Sequence, residues 1–81
     1  MYTVYILECL DGSLYCGITN DLKRRVALHK AGKASAYTRS RGVKEVVYTE
    51  KRRTKGAALK REAQIKRLTR AEKLILVGSL N

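Results

Sequence analysis

The sequence predicts a small α+β domain, a three-stranded antiparallel sheet flanked by helices in the order β-β-α-β-α-α. Three observations predict it. Two short β-prone runs, residues 2–9 and 14–19, bracket an Asp-Gly turn. A third such run, 43–50, stands between helical stretches. Each helical stretch opens on a residue suited to capping.

The first two runs form a hairpin across Leu10-Asp11-Gly12-Ser13. Asn20 or Asp21 caps a first helix running to about Ala31, where Gly32 stops it. "KASAYTRSRG", residues 33–42, is small, polar and basic, and reads as a loop. "VKEVVYTE", 43–50, is the third strand, and Thr54 caps a helix through about Leu68. "TRAE", 69–72, is a capping box that starts a last helix ending near Gly78, since Thr69 and Glu72 can each satisfy the other's backbone N–H. There is no internal repeat, and residues 1–81 are expected to form a single domain. A chain this short buries only about 60–65% of its unfolded surface, so the core is small.

Composition narrows the function. Eighteen Lys+Arg against seven Asp+Glu give a net charge of +11. Such an excess repels itself and is offset best by a polyanion, and nucleic acid is the commonest one for a compact basic domain. No run approaches the ~20 apolar residues that span a bilayer. The N-terminal "MYTVYILECL" has no basic n-region and carries Glu8 within its apolar run, so a cytoplasmic location and no membrane partner are expected. Two cysteines, Cys9 and Cys16, are too few for a disulfide scaffold and read as small buried thiols.

Two charges stand where apolar residues belong. On the first helix Leu28, Arg25, His29, Leu22 and Val26 fall in that order around the arc facing the body. On the later helix Glu62 lies among Ile65, Ala58, Lys66, Leu59 and Ala63. A charge in an apolar stripe is costly unless paired, hydrated or metal-bound. An Arg25–Glu62 ion pair meets that demand; so does a shared cleft, with Arg25 for phosphate and Glu62 for a hard cation.

"TVYIL", then "YCGIT", then "NDLKRRVALH", then a glutamate on a later helix together resemble the GIY-YIG nucleases, most closely the stand-alone bacterial type. The resemblance covers residues 2–75. Thr3-Val4-Tyr5 matches the first motif without its glycine, and Tyr15-Cys16-Gly17 matches the second with cysteine for isoleucine. Ile18 stands where some members carry lysine. The resemblance implies phosphodiester cleavage with one divalent cation, Mg²⁺ or Mn²⁺, held by Glu62. It also implies that Arg25 contacts the scissile phosphate and that Tyr15 is general base or orients the nucleophile. Tyr5 and His29 match the remaining active-site positions.

These roles constrain the hairpin. A two-residue Asp-Gly turn places Tyr5 and Tyr15 on opposite faces and gathers Tyr5, Leu7, Cys9, Leu14, Cys16 and Ile18 into one apolar face. A three-residue Leu10-Asp11-Gly12 loop, with Gly12 left-handed at a bulge, puts both tyrosines on one face. Local pattern favours the first and the resemblance the second. We adopt the second, which also sends Cys9 and Cys16 to opposite faces.

The expected function is metal-dependent endonucleolytic hydrolysis of DNA, directed by structure or weakly specific, with repair or recombination as its setting. The alternative is a nucleic-acid-binding module that cuts poorly or not at all. Lys23, Arg24, Lys33, Arg39 and Arg41 are placed to track a phosphate backbone, and Tyr37 to stack on a base. No sequence-reading element is appended, which leaves room for a separate targeting protein.

Overall fold

The computed structural model describes residues 1–78; the last three residues of the expected unit lie outside the described ones. Strands β1 (Tyr2–Cys9) and β2 (Leu14–Thr19) are followed by helices α1 (Leu22–Lys30) and α2 (Ala36–Arg41), strand β3 (Val43–Arg52), and helices α3 (Lys55–Lys66) and α4 (Arg70–Gly78). The sheet is antiparallel throughout, with strand order β2-β1-β3. The α+β class and the three strands are as expected. The segment 33–42, expected as a loop, instead folds its second half into α2. Ser35 caps that helix by accepting the Thr38 N–H at 3.2 Å, and Gly42 ends it at φ 74. A six-residue helix of small and basic residues has no apolar stripe to announce it.

The other caps form at the expected residues. Asp21 accepts the Arg24 N–H at 3.1 Å, and Thr54 accepts that of Ala57 at 3.1 Å. Thr69 N–H donates to Glu72 Oε1 at 2.9 Å while Glu72 N–H donates to Thr69 Oγ1 at 3.2 Å.

The hairpin takes the three-residue register. Cys9 N–H donates to the Ser13 carbonyl at 2.8 Å and Gly12 N–H to the Cys9 carbonyl at 2.9 Å, with Gly12 at φ 84. Tyr5 therefore lies opposite Gly17, and Leu7 opposite Tyr15. Central strand β1 is covered on both sides, so Val4, Tyr5, Ile6 and Leu7 are all buried. One face carries Val4, Ile6, Cys16 and Tyr48 against Ala58 and Ile65 of α3, with Leu76 and Val77 of α4 at the margin. The opposite face carries Tyr5, Leu7, Cys9, Tyr15, Gly17 and Thr19, as strand alternation requires. Cys9 and Cys16 are both free and buried, on opposite faces.

A charged cluster on β3 ties α3 to the sheet. Arg61 donates to both Glu50 oxygens, at 2.9 and 3.0 Å from Nε and 2.9 Å from its terminal nitrogen, and Arg52 reaches the same carboxylate at 2.6 Å. The Tyr48 hydroxyl also donates to Glu50. The hairpin tip is held by Arg70, which donates to the Gly12 carbonyl at 2.8 Å, and by the Arg41–Asp11 pair at 3.5 Å.

Candidate active site

The site begins with a missing side chain. Gly17 sits on edge strand β2 directly across from Tyr5, and the Tyr5 ring occupies the space a side chain would fill. A Cβ at Gly17 would stand 2.6 Å from Tyr5 Oη, 2.8 Å from Cζ and 3.3 Å from Tyr15 Cε2. The backbone at Gly17 is ordinary, so the requirement for glycine there is one of space.

The Tyr5 hydroxyl is bonded to His29 Nε2 at 2.9 Å, and His29 Nδ1 to Thr38 Oγ1 at 2.8 Å. Thr38 Oγ1 in turn lies 2.9 Å from Ser35 Oγ. Tyr5, His29 and Thr38 are each at most 2% exposed, so this chain of polar groups runs through the interior. Sequence spacing explains its assembly. His29 lies one turn after Arg25 on α1, and the Ser35 cap turns Thr38 inward from α2 onto the same ring.

Tyr15 stacks edge-on against His29, with centroids 5.1 Å apart, and Tyr37 leans on Tyr15 at 5.7 Å. Arg41 covers the Tyr37 ring at 4.1 Å. The Tyr15 hydroxyl makes no hydrogen bond to any described residue and stands at the border between interior and surface. Tyr37, expected on a loop with a face free for a base, instead lies between Tyr15 and the Arg41 guanidinium, which leaves Arg41 as the outer plate.

Arg25 was expected within the body-facing arc, but the structure exposes it, because α1 seats itself on the sheet through His29 and leaves the rest of the arc half covered. It lines a cleft of about 180 Å³ with Thr19, Asn20, Asp21, Arg24 and Leu28. Glu62 does not pair with Arg25. Its carboxylate, 18% exposed, pairs with Lys66 one turn on, at 3.5 Å. It belongs to α3, which packs on the sheet face opposite the tyrosines.

Electrostatics links the two sides. Burial is the main force raising the proton affinity of Tyr5; the Tyr15 oxygen adds to it, Arg25 opposes it, and Cys16 and Glu62 raise it further. Tyr5 is thus held as a neutral phenol and stands within the fields of both Arg25 and Glu62. Burial first, then the Arg25 charge, holds His29 below the ordinary imidazole range, so the ring is neutral at physiological pH. The Cys16 thiol is pushed up to about 11 by burial and by Glu62, and is inert.

The structure brings Tyr5, Tyr15 and His29 into contact, adds Tyr37, and sets Arg25 and Glu62 within electrostatic reach of Tyr5. Lys23, Arg24, Lys33, Arg39 and Arg41 are all exposed on α1, α2 and their connection. Sequence reasoning missed Thr38 and Ser35. The signal for them was the Ser35 cap three residues before Thr38, followed by a glycine stop at Gly42.

The hairpin tyrosines, the α1 arginine and the α3 glutamate thus sit on one small three-stranded α+β domain. The family model described as the GIY-YIG catalytic domain matches residues 1–74, and the chain belongs to the GIY-YIG nuclease family. Within it the chain is similar to the UPF0213 proteins. A UPF0213 protein of Oceanobacillus iheyensis is 50% identical over 74 residues, covering 91% of this chain and 86% of the relative. One from Natronomonas pharaonis is 50% identical over 75 residues, covering 93% and 88%. The solution NMR structure of a UPF0213 protein from Bacillus halodurans is 44% identical, with a TM-score of 0.61 over 96% of this chain and 84% of that one. Among the described residues no helix is long and apolar enough to cross a membrane.

Proposed function

We propose that this chain is a divalent-metal-dependent endonuclease acting on DNA, with residues 1–81 as one catalytic unit in the cytoplasm. The observation that carries the reading is the placement of the Tyr5 hydroxyl. It is hydrogen-bonded to His29, packed under Gly17, and lies within the fields of Arg25 from α1 and Glu62 from α3.

The residues fit one hard cation of the Mg²⁺ type. Among the described residues no group of three or more His, Cys, Asp or Glu could cage an ion, and Glu62 offers a single carboxylate, tied only to Lys66. Magnesium commonly takes one or two carboxylates and completes its shell with water and phosphate oxygens. Bound at Glu62, the ion would polarise the phosphate and stabilise the leaving oxygen.

The chain's own residues supply the rest. Arg25, exposed and permanently charged, offers a planar fork to the non-bridging oxygens. The unengaged Tyr15 hydroxyl accepts a hydrogen bond from the attacking water and orients it at phosphorus. As the water oxygen bonds to phosphorus, the bridging P–O ester bond breaks, water gives up a proton, and the leaving oxygen takes one up. Tyr5 and His29, buried behind Tyr15, keep the site wall polar and rigid. Lys23, Arg24, Lys33, Arg39 and Arg41 hold the flanking phosphates, while Arg41, plated on Tyr37, is the surface offered to a base.

The test is cleavage of supercoiled, branched and single-stranded DNA with Mg²⁺ or Mn²⁺, comparing wild type with Glu62→Ala and Tyr15→Phe. Metal-dependent cutting that disappears in both variants is expected. Equal DNA binding by all three proteins with no cutting of any substrate would replace this reading with a binding module.

A further inference from the structure

Four polar groups in a row, Tyr5, His29, Thr38 and Ser35, must share a small number of protons, and counting them decides which way each bond runs. His29 is neutral and carries one ring proton. Thr38 Oγ1 has three polar neighbours: His29 Nδ1 at 2.8 Å, Ser35 Oγ at 2.9 Å and the Ser35 carbonyl at 3.4 Å. Ser35 Oγ already accepts the Thr38 N–H at 3.2 Å, which leaves its own proton free to go to Thr38.

Place the imidazole proton on Nδ1. Thr38 then accepts from His29 and Ser35 and gives its proton to the Ser35 carbonyl. Nε2 is bare and accepts the Tyr5 proton. Every donor has an acceptor. Place it on Nε2 instead, and His29 donates to the Tyr5 oxygen. The Tyr5 hydroxyl proton then has no acceptor among the described residues, in a side chain only 1% exposed. A buried donor left unmet is costly, so the first arrangement wins.

We infer that Thr38 and Ser35 are positioning residues that hold His29 as its Nδ1–H tautomer, so that Nε2 draws the Tyr5 proton inward and the Tyr5 oxygen lone pairs face the β2 edge at Gly17. Neither residue touches the substrate in this scheme. Each acts through the imidazole, as the orienting member of a hydrogen-bonded series acts through its base. The consequence for catalysis rests on the nuclease reading; the tautomer does not.

The experiment is ¹⁵N NMR of the His29 ring, the only histidine in the chain, with steady-state cleavage measured alongside. Wild type is expected to show a protonated Nδ1 and a bare Nε2 near neutral pH. Thr38→Val removes the acceptor at nearly constant volume and shifts the ring toward Nε2–H; Thr38→Ser restores Nδ1–H. In the cleavage assay Thr38→Val lowers kcat by about ten- to a hundredfold with KM little changed, the scale reached by the outer partners of metal-bound histidines, and Thr38→Ser recovers most of it. An Nε2–H or mixed tautomer in wild type overturns the inference, as does a Thr38→Val ring that stays Nδ1–H. Should Thr38→Val not fold, the wild-type spectrum and Ser35→Ala decide. Should wild type cut nothing, the nuclease reading fails while the spectrum still judges the tautomer.

Discussion

Replacing Gly17 by alanine places one methyl group where the structure allows none. The new carbon would sit 2.6 Å from Tyr5 Oη and 2.8 Å from Cζ, distances that real Cβ atoms do not show, so ring or strand must move. Tyr5 is wedged in β1 between covered faces, and the displacement needed, about half an ångström to an ångström, is the scale on which overpacking costs about 1–3 kcal/mol. The same movement stretches the 2.9 Å bond to His29. A buried group left unpaired costs about 1–3 kcal/mol more. Because one displacement produces both effects they do not fully add, and a loss of about 3 kcal/mol is expected. For a chain this short each kcal/mol moves the melting temperature by about 6 °C, so the variant should melt about 15–20 °C lower. Thermal denaturation followed by circular dichroism measures the shift, and urea denaturation the free energy. The Tyr5→Phe background removes the Oη contact and the hydrogen bond together and leaves the ring-carbon contact. There the Gly17→Ala cost should shrink by about 1 kcal/mol. A Gly17→Ala protein within about 0.5 kcal/mol of wild type would show that the pocket accommodates a side chain, and the spatial account of this glycine would be wrong.

Two further outcomes follow from the charges. Burial alone would raise Glu50, but the Arg61 and Tyr48 hydrogen bonds outweigh it and hold its carboxyl below the ordinary glutamate range. A depressed carboxylate stabilises the fold above its unfolded pKa and loses that contribution as pH falls through the folded one. Glu50→Gln should therefore cost about 2–3 kcal/mol at pH 7, where it strands Arg61 and Arg52, and the gap to wild type in urea midpoint should narrow steadily below pH 4.5; a gap independent of pH refutes the assignment. On DNA, Arg39→Ala should lower the slope of log K against log salt by about one, whereas Lys60→Ala, on exposed α3 across the sheet, should leave it unchanged. Equal slopes for both variants would mean that binding is not confined to the α1–α2 face.

What the sequence made legible tracks what is local. Caps at Asp21, Thr54 and Thr69 are decided within four residues, and all three formed. Helix α2 was not legible, because its six residues bury only Thr38 and so carry no periodicity. Its signals were a serine and a glycine, which also describe a loop. The Glu50–Arg61 cluster was invisible for a different reason. Its members are eleven residues apart and on different elements, and nothing in the composition of β3 or α3 says which lysine or arginine meets that carboxylate.

The hairpin shows how local pattern can mislead at a site. Apolar alternation favoured the register that stacks Cys16 and Ile18 with Tyr5 and Leu7, because pattern rewards a single tidy face. Central strand β1 is buried on both faces, so there is no solvent side to sort against, and the preference vanishes. What then selects the register is the loop: Gly12 takes the left-handed conformation, and the bulge shifts β2 by one residue. That shift carries Gly17 under Tyr5 and Tyr15 onto His29. In the other register Ile18 would lie opposite Tyr5 and Cys16 opposite Leu7, and the His29 ring would lose Tyr15. One glycine at the turn and one beneath the ring thus set the geometry of every aromatic in the site, although neither has a side chain to offer the chemistry.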